Sequence, residues 1–350
     1  MSDAEHNRPA REGRPRTSLL LMAVVVLLGA GLAVLLFSSK PRPADASSGA
    51  PQLIVTVSFV PDDPTAYYGA HLGEWLKEFG LNEGRDYRMK SLSAQGDIAT
   101  LSMLMDAARQ ERADILVTFQ PQTLFNAIRR VPEIPKVFSI LTAPSSLGAG
   151  ESDTRHLSNV TGFYYWPDYG ALMDLLRECK PSTKTLGTLF FAGDDESKEQ
   201  IEKARQAAVA RGIQLLAQAY TLPSDIPDAV RALAGRRPDA ILLTPTQHQG
   251  LLAPALANAA ADLKAPVATV LLDKVRAGTA TLGYGVNQEL AARKFAEILA
   301  RVVRGAKPGD IPFFNGRNLR YETVINATNA AAIGLTLPEA VRKRADHVYE

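Results

Sequence analysis

From Gln52 onward the chain alternates short β-rich runs with helical patterns about ten to fifteen residues long, and it does so twice in series. The first series opens with Leu53-Ile54-Val55-Thr56-Val57-Ser58-Phe59, a continuous β-branched and apolar run. A helical pattern follows over Tyr67 to Phe79, closed by Gly80. Strands are expected at Asp86 to Leu92, Asp114 to Phe119 and Pro135 to Leu141, with helices at Asp97 to Arg112 and Pro121 to Arg130. The Gly-, Ser- and Asp-rich stretch Leu147 to His156 interrupts this rhythm. It restarts with a helix at Asp168 to Glu178 and a strand at Thr185 to Phe191. Helices at Asp195 to Arg211, Asp225 to Leu233 and Gln247 to Leu263 then alternate with strands at Ile213 to Tyr220, Asp239 to Thr244 and Val267 to Leu271. Such alternation argues parallel sheets covered by helices on both faces, so the fold class is α/β with two units in series.

The last stretch carries the chain back. Thr279 to Gly285 is a short alternating run, and Asn287 is placed to cap a helix reaching Arg304. Leu290, Ala291, Phe295, Ile298, Leu299, Val302 and Val303 recur at three- and four-residue spacing on one face of it. Gly305 and Pro308 end it, and a strand at Arg320 to Asn326 leads to two small helices. Several words here stand in a particular order: Gly283-Tyr284-Gly285-Val286-Asn287, Arg304-Gly305-Ala306-Lys307-Pro308-Gly309-Asp310-Ile311-Pro312, Val324-Ile325-Asn326, and Gly334-Leu335-Thr336-Leu337-Pro338 followed by Arg344-Ala345-Asp346. In that order they resemble the substrate-binding proteins of a subgroup of ABC importers, some of which bind aromatic amino acids. The resemblance implies a type I periplasmic-binding-protein fold, two Rossmann-like lobes joined by a multi-strand hinge. It also implies a small-molecule solute captured between the lobes, with ABC permease and ATPase subunits as partners. On this reading the first lobe takes residues 52–160 plus about 279–312, and the second 161–278 plus about 313–350. Asn159-Val160-Thr161-Gly162 matches the family word at the first crossing between lobes.

Ahead of the folded body lie three further segments. Residues 1–17 are polar, Arg-rich and read as a disordered cytoplasmic tail. Ser18 to Phe37 is an uncharged, almost wholly apolar run. As a helix rising about 1.5 Å per residue it spans roughly 30 Å, the hydrocarbon thickness of a bilayer. The flanking arginines keep the N-terminus in the cytoplasm and place the body outside. Two readings of the run stand: a transmembrane anchor on the periplasmic face of the inner membrane, or a signal sequence cleaved after Ala46 to release a soluble periplasmic protein. Residues 38–51 are rich in Pro, Ala and Ser, and form a linker.

Composition excludes several classes. A net charge of +2 gives no nucleic-acid footprint. The single cysteine, Cys179, allows neither an intrachain disulfide nor a cysteine metal site. The five histidines include no helical pair, so no metal or other cofactor is indicated. No G-x-S-x-G elbow, P-loop or H-E-x-x-H occurs, and catalysis is not expected.

In open parallel sheets, ligands gather beyond the carboxyl ends of the strands. The polar and aromatic residues at those ends are the candidate ligand-binding set: Phe59, Gln95, Gln120, Gln122, Thr123, Thr142, Tyr164, Asp194, Thr246, Gln247 and Asp273. Gln120, Thr123, Thr246 and Gln247 form the stronger cluster, because uncharged polar groups at two facing strand ends fix a small ligand. Asp194 serves equally well as a helix cap, Gln95 as a turn residue and Tyr164 as hinge packing. By resemblance, the turns at Gln120 to Thr123 and Ala192 to Ser197 hold the ligand. The chain departs from the family where Ala143 replaces an aspartate, where Gln247-His248 replaces Asp-Asn, and at the Ala192-Gly193-Asp194 turn. An aromatic amino acid is therefore not carried over from the family. A membrane-anchored sensory module is the alternative to an importer component.

Overall fold

Buried on both faces, a strand such as Leu53-Ile54-Val55-Thr56-Val57 demands helices above and below it. The computed structural model supplies them. It describes residues 50–60 and 63–350, so the expected tail, the apolar run and nearly all of the linker lie outside the described residues. Among the described residues, no helix is long and apolar enough to cross a membrane.

The first series forms β1 (Gln52–Ser58), α1 (Asp63–Glu78), β2 (Tyr87–Ser93), α2 (Ile98–Gln110), β3 (Ile115–Phe119), α3 (Pro121–Arg130), β4 (Lys136–Ile140) and β5 (Val160–Tyr164). The second forms α4 (Tyr169–Cys179), β6 (Thr185–Phe191), α5 (Asp195–Val209), β7 (Gln214–Tyr220), α6 (Ile226–Gly235), β8 (Ala240–Leu243), α7 (Gln249–Leu263) and β9 (Val267–Thr269). Then come α8 (Leu272–Arg276), β10 (Leu282–Val286), α9 (Gln288–Val303), β11 (Phe314–Asn315), β12 (Tyr321–Asn326), α10 (Ala327–Ala332), α11 (Glu339–Arg344) and β13 (His347–Tyr349).

Two sheets result, of order β11-β5-β4-β3-β1-β2 and β13-β12-β10-β9-β8-β6-β7. All pairings are parallel except β10 with β12. Strand alternation sorts the core of each sheet into two layers. In the first, Ile54, Ile115, Val117 and Phe119 meet α1 and α9, whereas Val55, Val57 and Leu116 meet α2 and α3. In the second, Leu186, Leu215 and Leu242 meet α4 and α5, and Leu189, Leu216 and Leu243 meet α6 and α7.

The crossings fall a few residues from the expected boundaries. β5 pairs with β4 all the way from Val160 to Tyr164, so it belongs wholly to the first sheet. β10 pairs with β9 and β12, which places Leu282–Val286 in the second sheet; only from α9 does the chain rejoin the first. Phe314 and Asn315 pair with Phe163 and Tyr164 and extend the first sheet, not the second. Gly162 permits the β4–β5 contact, because a Cβ there would lie 2.3 Å from the Phe138 carbonyl oxygen.

Candidate functional site

The carboxyl ends of β1, β3 and β4 from one sheet and β8, β9 and β10 from the other converge on a cleft of about 150 Å³. Its first-lobe wall is largely aromatic: Phe59, Tyr68, Phe119 and Tyr165. Tyr68 packs edge-on against Phe295 and accepts a hydrogen bond from Ser139 Oγ at 3.2 Å. Burial pushes its hydroxyl up to about 12, so it stays protonated. The second-lobe wall carries Thr246, Gln247, Gln249, Asp273 and Lys274, with Glu196 from the start of α5, beside the apolar Pro245, Val270, Leu271 and Leu272.

The turn from β3 to α3 is held in an unusual way. Gln120 adopts φ +69°, a conformation that costs a non-glycine residue on the order of 1–3 kcal/mol. Its side-chain amide offsets that cost by acting as an extra sheet rung. Oε1 accepts from the Phe59 amide at 2.7 Å, and Nε2 donates to the Val60 carbonyl at 3.0 Å. Gln120 therefore straps the β1 turn to the β3 turn, and Pro121, with its fixed φ, starts α3 immediately afterwards.

Of the expected site residues, the fold brings Phe59, Gln120, Gln122, Thr246, Gln247 and Asp273 to this cleft. The other five lie elsewhere. Gln95 is exposed in a turn at φ +52°. Thr123 is fully buried, with its hydroxyl donating to the Phe119 and Gln120 carbonyls in the first turn of α3. Tyr164 faces the opposite side of its sheet, where its hydroxyl donates to Asp153 at 2.8 Å and accepts from Asn315 at 3.1 Å. Its neighbour Tyr165 lines the cleft instead, because adjacent residues of an extended chain point to opposite faces.

Thr142 and Asp194 sit in contacts between the lobes. Thr142 donates to Glu199 at 3.0 Å, and Gln200 Nε2 donates to the Leu141 carbonyl at 3.1 Å. Asp194 caps α5 by accepting from the Glu196 and Ser197 amides, and it also accepts from Gln122 Nε2 at 3.0 Å. Burial pushes its carboxyl up, partly offset by those three hydrogen bonds. Among cleft residues that sequence reasoning did not single out, Gln288 was within reach: it directly follows the end of β10, where the strand-end rule applies. Tyr68 and Gln249 lie inside helical patterns and gave no such signal.

Beside Thr246, a small aromatic group closes the second lobe. Tyr220 Oη lies 3.3 Å from Thr246 Oγ1 and 3.1 Å from His248 Nδ1, and the His248 ring meets Phe191 edge-on. Burial holds His248 below its ordinary value of 6.5, which favours the neutral ring in the folded state. As pH falls through 6.5 the unfolded chain takes up that proton first, so stability falls. Melting curves from pH 7 to 5 should show a smaller loss for His248→Gln than for the unaltered protein; parallel curves would refute this.

Two helix-covered sheets, joined by three chain crossings and opposed at their strand ends across a cleft, define a two-lobed periplasmic-binding-protein fold. Residues 55–349 match the family model described as ABC transporter substrate binding protein, and the chain belongs to that family. It is 21% identical over 238 residues, 68% of each chain, to a tyrosine-binding protein of Clostridioides difficile. Among solved structures it resembles a conserved domain protein from Vibrio cholerae, with a TM-score of 0.77, 24% identity, and coverage of 85% of this chain and 99% of that one. It also resembles an ABC domain from Streptococcus pneumoniae in complex with L-Trp, with a TM-score of 0.78, 20% identity, and coverage of 85% and 100%. Members of the family bind solutes and are not enzymes, and they work outside the cytoplasm.

Proposed function

We propose that the protein is the exported solute-binding component of an ABC importer, capturing a small amino-acid-like solute by closure of its two lobes. The observation that carries this is the placing of two kinds of group in the cleft: the aromatic rings stand on the first lobe, and the described charged side chains on the second. A molecule with an apolar body and a charged head matches both walls at once, and only closure lets it touch both. Contact with both lobes favours the closed arrangement by the difference in binding free energy between closed and open forms. The hydrogen bonds from Gln122 to Asp194, Thr142 to Glu199 and Gln200 to Leu141 support a closed form held beside the solute.

In this reading Phe59, Gln122, Thr246, Gln247 and Asp273 touch solute, Gln120 positions the turns, and Thr142 and Asp194 hold the lobes together. Gln95, Thr123 and Tyr164 take no part. The names of the relatives, one for tyrosine and one complexed with L-Trp, favour an amino acid with a large side chain. A permease and an ATPase receive the solute, with the apolar run Ser18 to Phe37 tethering the body to the periplasmic face of the inner membrane. Isothermal titration with the twenty amino acids should find a binder in the micromolar range or tighter, corresponding to roughly −8 kcal/mol or more. Silence across amino acids and a broad metabolite panel would sink the proposal.

A further inference from the structure

Gln249 opens α7 and lines the cleft while only 8% exposed. Its Nε2 donates to the Thr244 carbonyl. A carbonyl only accepts, so the NH2 group must face Thr244 and the amide oxygen must point away from it. That oxygen is buried and has no hydrogen-bond partner among the described residues, and the same holds for Gln247 Oε1. A buried acceptor left unmet is costly, and native sites supply a donor to it. Among the described residues, the charged side chains lining the cleft are two carboxylates, Glu196 and Asp273, and one ammonium, Lys274, which lies 3.1 Å from Asp273. The described second-lobe wall thus presents acceptors and more carboxylates than ammonium groups.

We propose that the solute's polar head is a protonated nitrogen lying against Gln249 and Gln247, and that a carboxylate on the solute is dispensable. This rests on the solute-binding reading above. A carboxylate head would set oxygen against oxygen at Gln249. A hydroxyl head would satisfy the amide oxygens but bring no charge to a wall that carries more carboxylates than ammonium groups. An ammonium does both, donating up to three hydrogen bonds and carrying the opposite charge.

The test uses the full chain and three probes that share a phenyl group: 2-phenylethylamine, L-phenylalanine and 3-phenylpropionate. Titration should give 2-phenylethylamine an affinity within about tenfold of L-phenylalanine, and 3-phenylpropionate one weaker by roughly 100-fold. Gln249→Met keeps the length and removes the oxygen. It should weaken both amine-bearing probes by roughly 10- to 100-fold and leave the carboxylate probe unchanged. The inference is overturned if 3-phenylpropionate rivals L-phenylalanine, if 2-phenylethylamine fails where L-phenylalanine binds, or if the variant weakens all three alike. Should the variant not fold, the ranking on the unaltered protein decides. If only a nitrogen-free solute such as a sugar binds, the inference falls while the solute-binding reading survives. If nothing binds from a broad panel, that reading itself falls.

Discussion

Replacing Phe295 by alanine should cost about 3–5 kcal/mol of folding stability and weaken solute binding in the same stroke. Phe295 is fully buried in α9. Its ring meets Tyr68 edge-on at 5.3 Å and Phe119 at 5.8 Å, and both of those rings line the cleft. Removing it leaves a cavity directly behind the aromatic wall and forfeits two ring contacts worth about 0.5–1.5 kcal/mol each beyond area burial. The wall then has room to retreat, so shape complementarity to a bound solute is lost as well. Urea denaturation measures the first effect as a lower midpoint at unchanged slope. Titration at a temperature where both proteins are folded measures the second. A loss of under about 1 kcal/mol would mean that Phe295 does not support the wall.

Much of the architecture could be read without coordinates, because its cause is local. Strand and helix periods are properties of neighbouring residues, and caps such as Asp97, Asp168, Asn287 and Asn326 act within three residues of themselves. The helix Pro121–Arg130 coincides with the expected one for that reason. What escaped was set by distant partners. Whether Leu282–Val286 joins one sheet or the other depends on β9 and β12, and nothing inside the run Leu282-Gly283-Tyr284-Gly285-Val286 encodes that choice. β13 was missed because His347-Val348-Tyr349 is too short to show a period, and its pairing with Val324–Asn326 makes it a strand.

The candidate site shows the same division. The strand-end rule led to turns that line the cleft but could not say which way each side chain faces. At Tyr164 and Tyr165 the choice is one of parity along β5, fixed by the pairing of Tyr164 with Ile140. At Thr123 the hydroxyl looked available in sequence, yet a threonine in the first turn of a helix readily turns back to a carbonyl of the preceding turn. Asp194 was read with helix capping as one of two roles; the fold adds to that a bond to Gln122 of the other lobe, 72 residues away along the chain. Gln249 carried no signal at all, since its significance lies in a carbonyl that fixes its orientation and in the cleft beyond it.

Gly285→Ala should prove the most damaging single-methyl change in the cleft. A Cβ on Gly285 would stand 2.4 Å from the Val270 carbonyl oxygen and 3.3 Å from Leu272 Cγ. The oxygen belongs to backbone and cannot swing aside as a side-chain tip does, so the segment itself must move. Val270, Leu271 and Leu272 all line the cleft, and Asp273 and Lys274 follow directly. Stability should therefore fall by about 1–3 kcal/mol. Binding should fall by roughly tenfold or more, because an interaction geometry displaced by even an ångström loses most of its value. Gly69→Ala provides the internal control. Gly69 lies in α1 with no atom near the added methyl, and alanine there should stabilise by about 0.5–1 kcal/mol. The same substitution thus takes opposite signs at two glycines, decided by what stands beside each. Thermal melts of both variants, paired with titration of the Gly285 variant, test the contrast. Equal melts would show that β10 and the Val270 turn yield freely, and that the close approach of Gly285 does not shape the cleft.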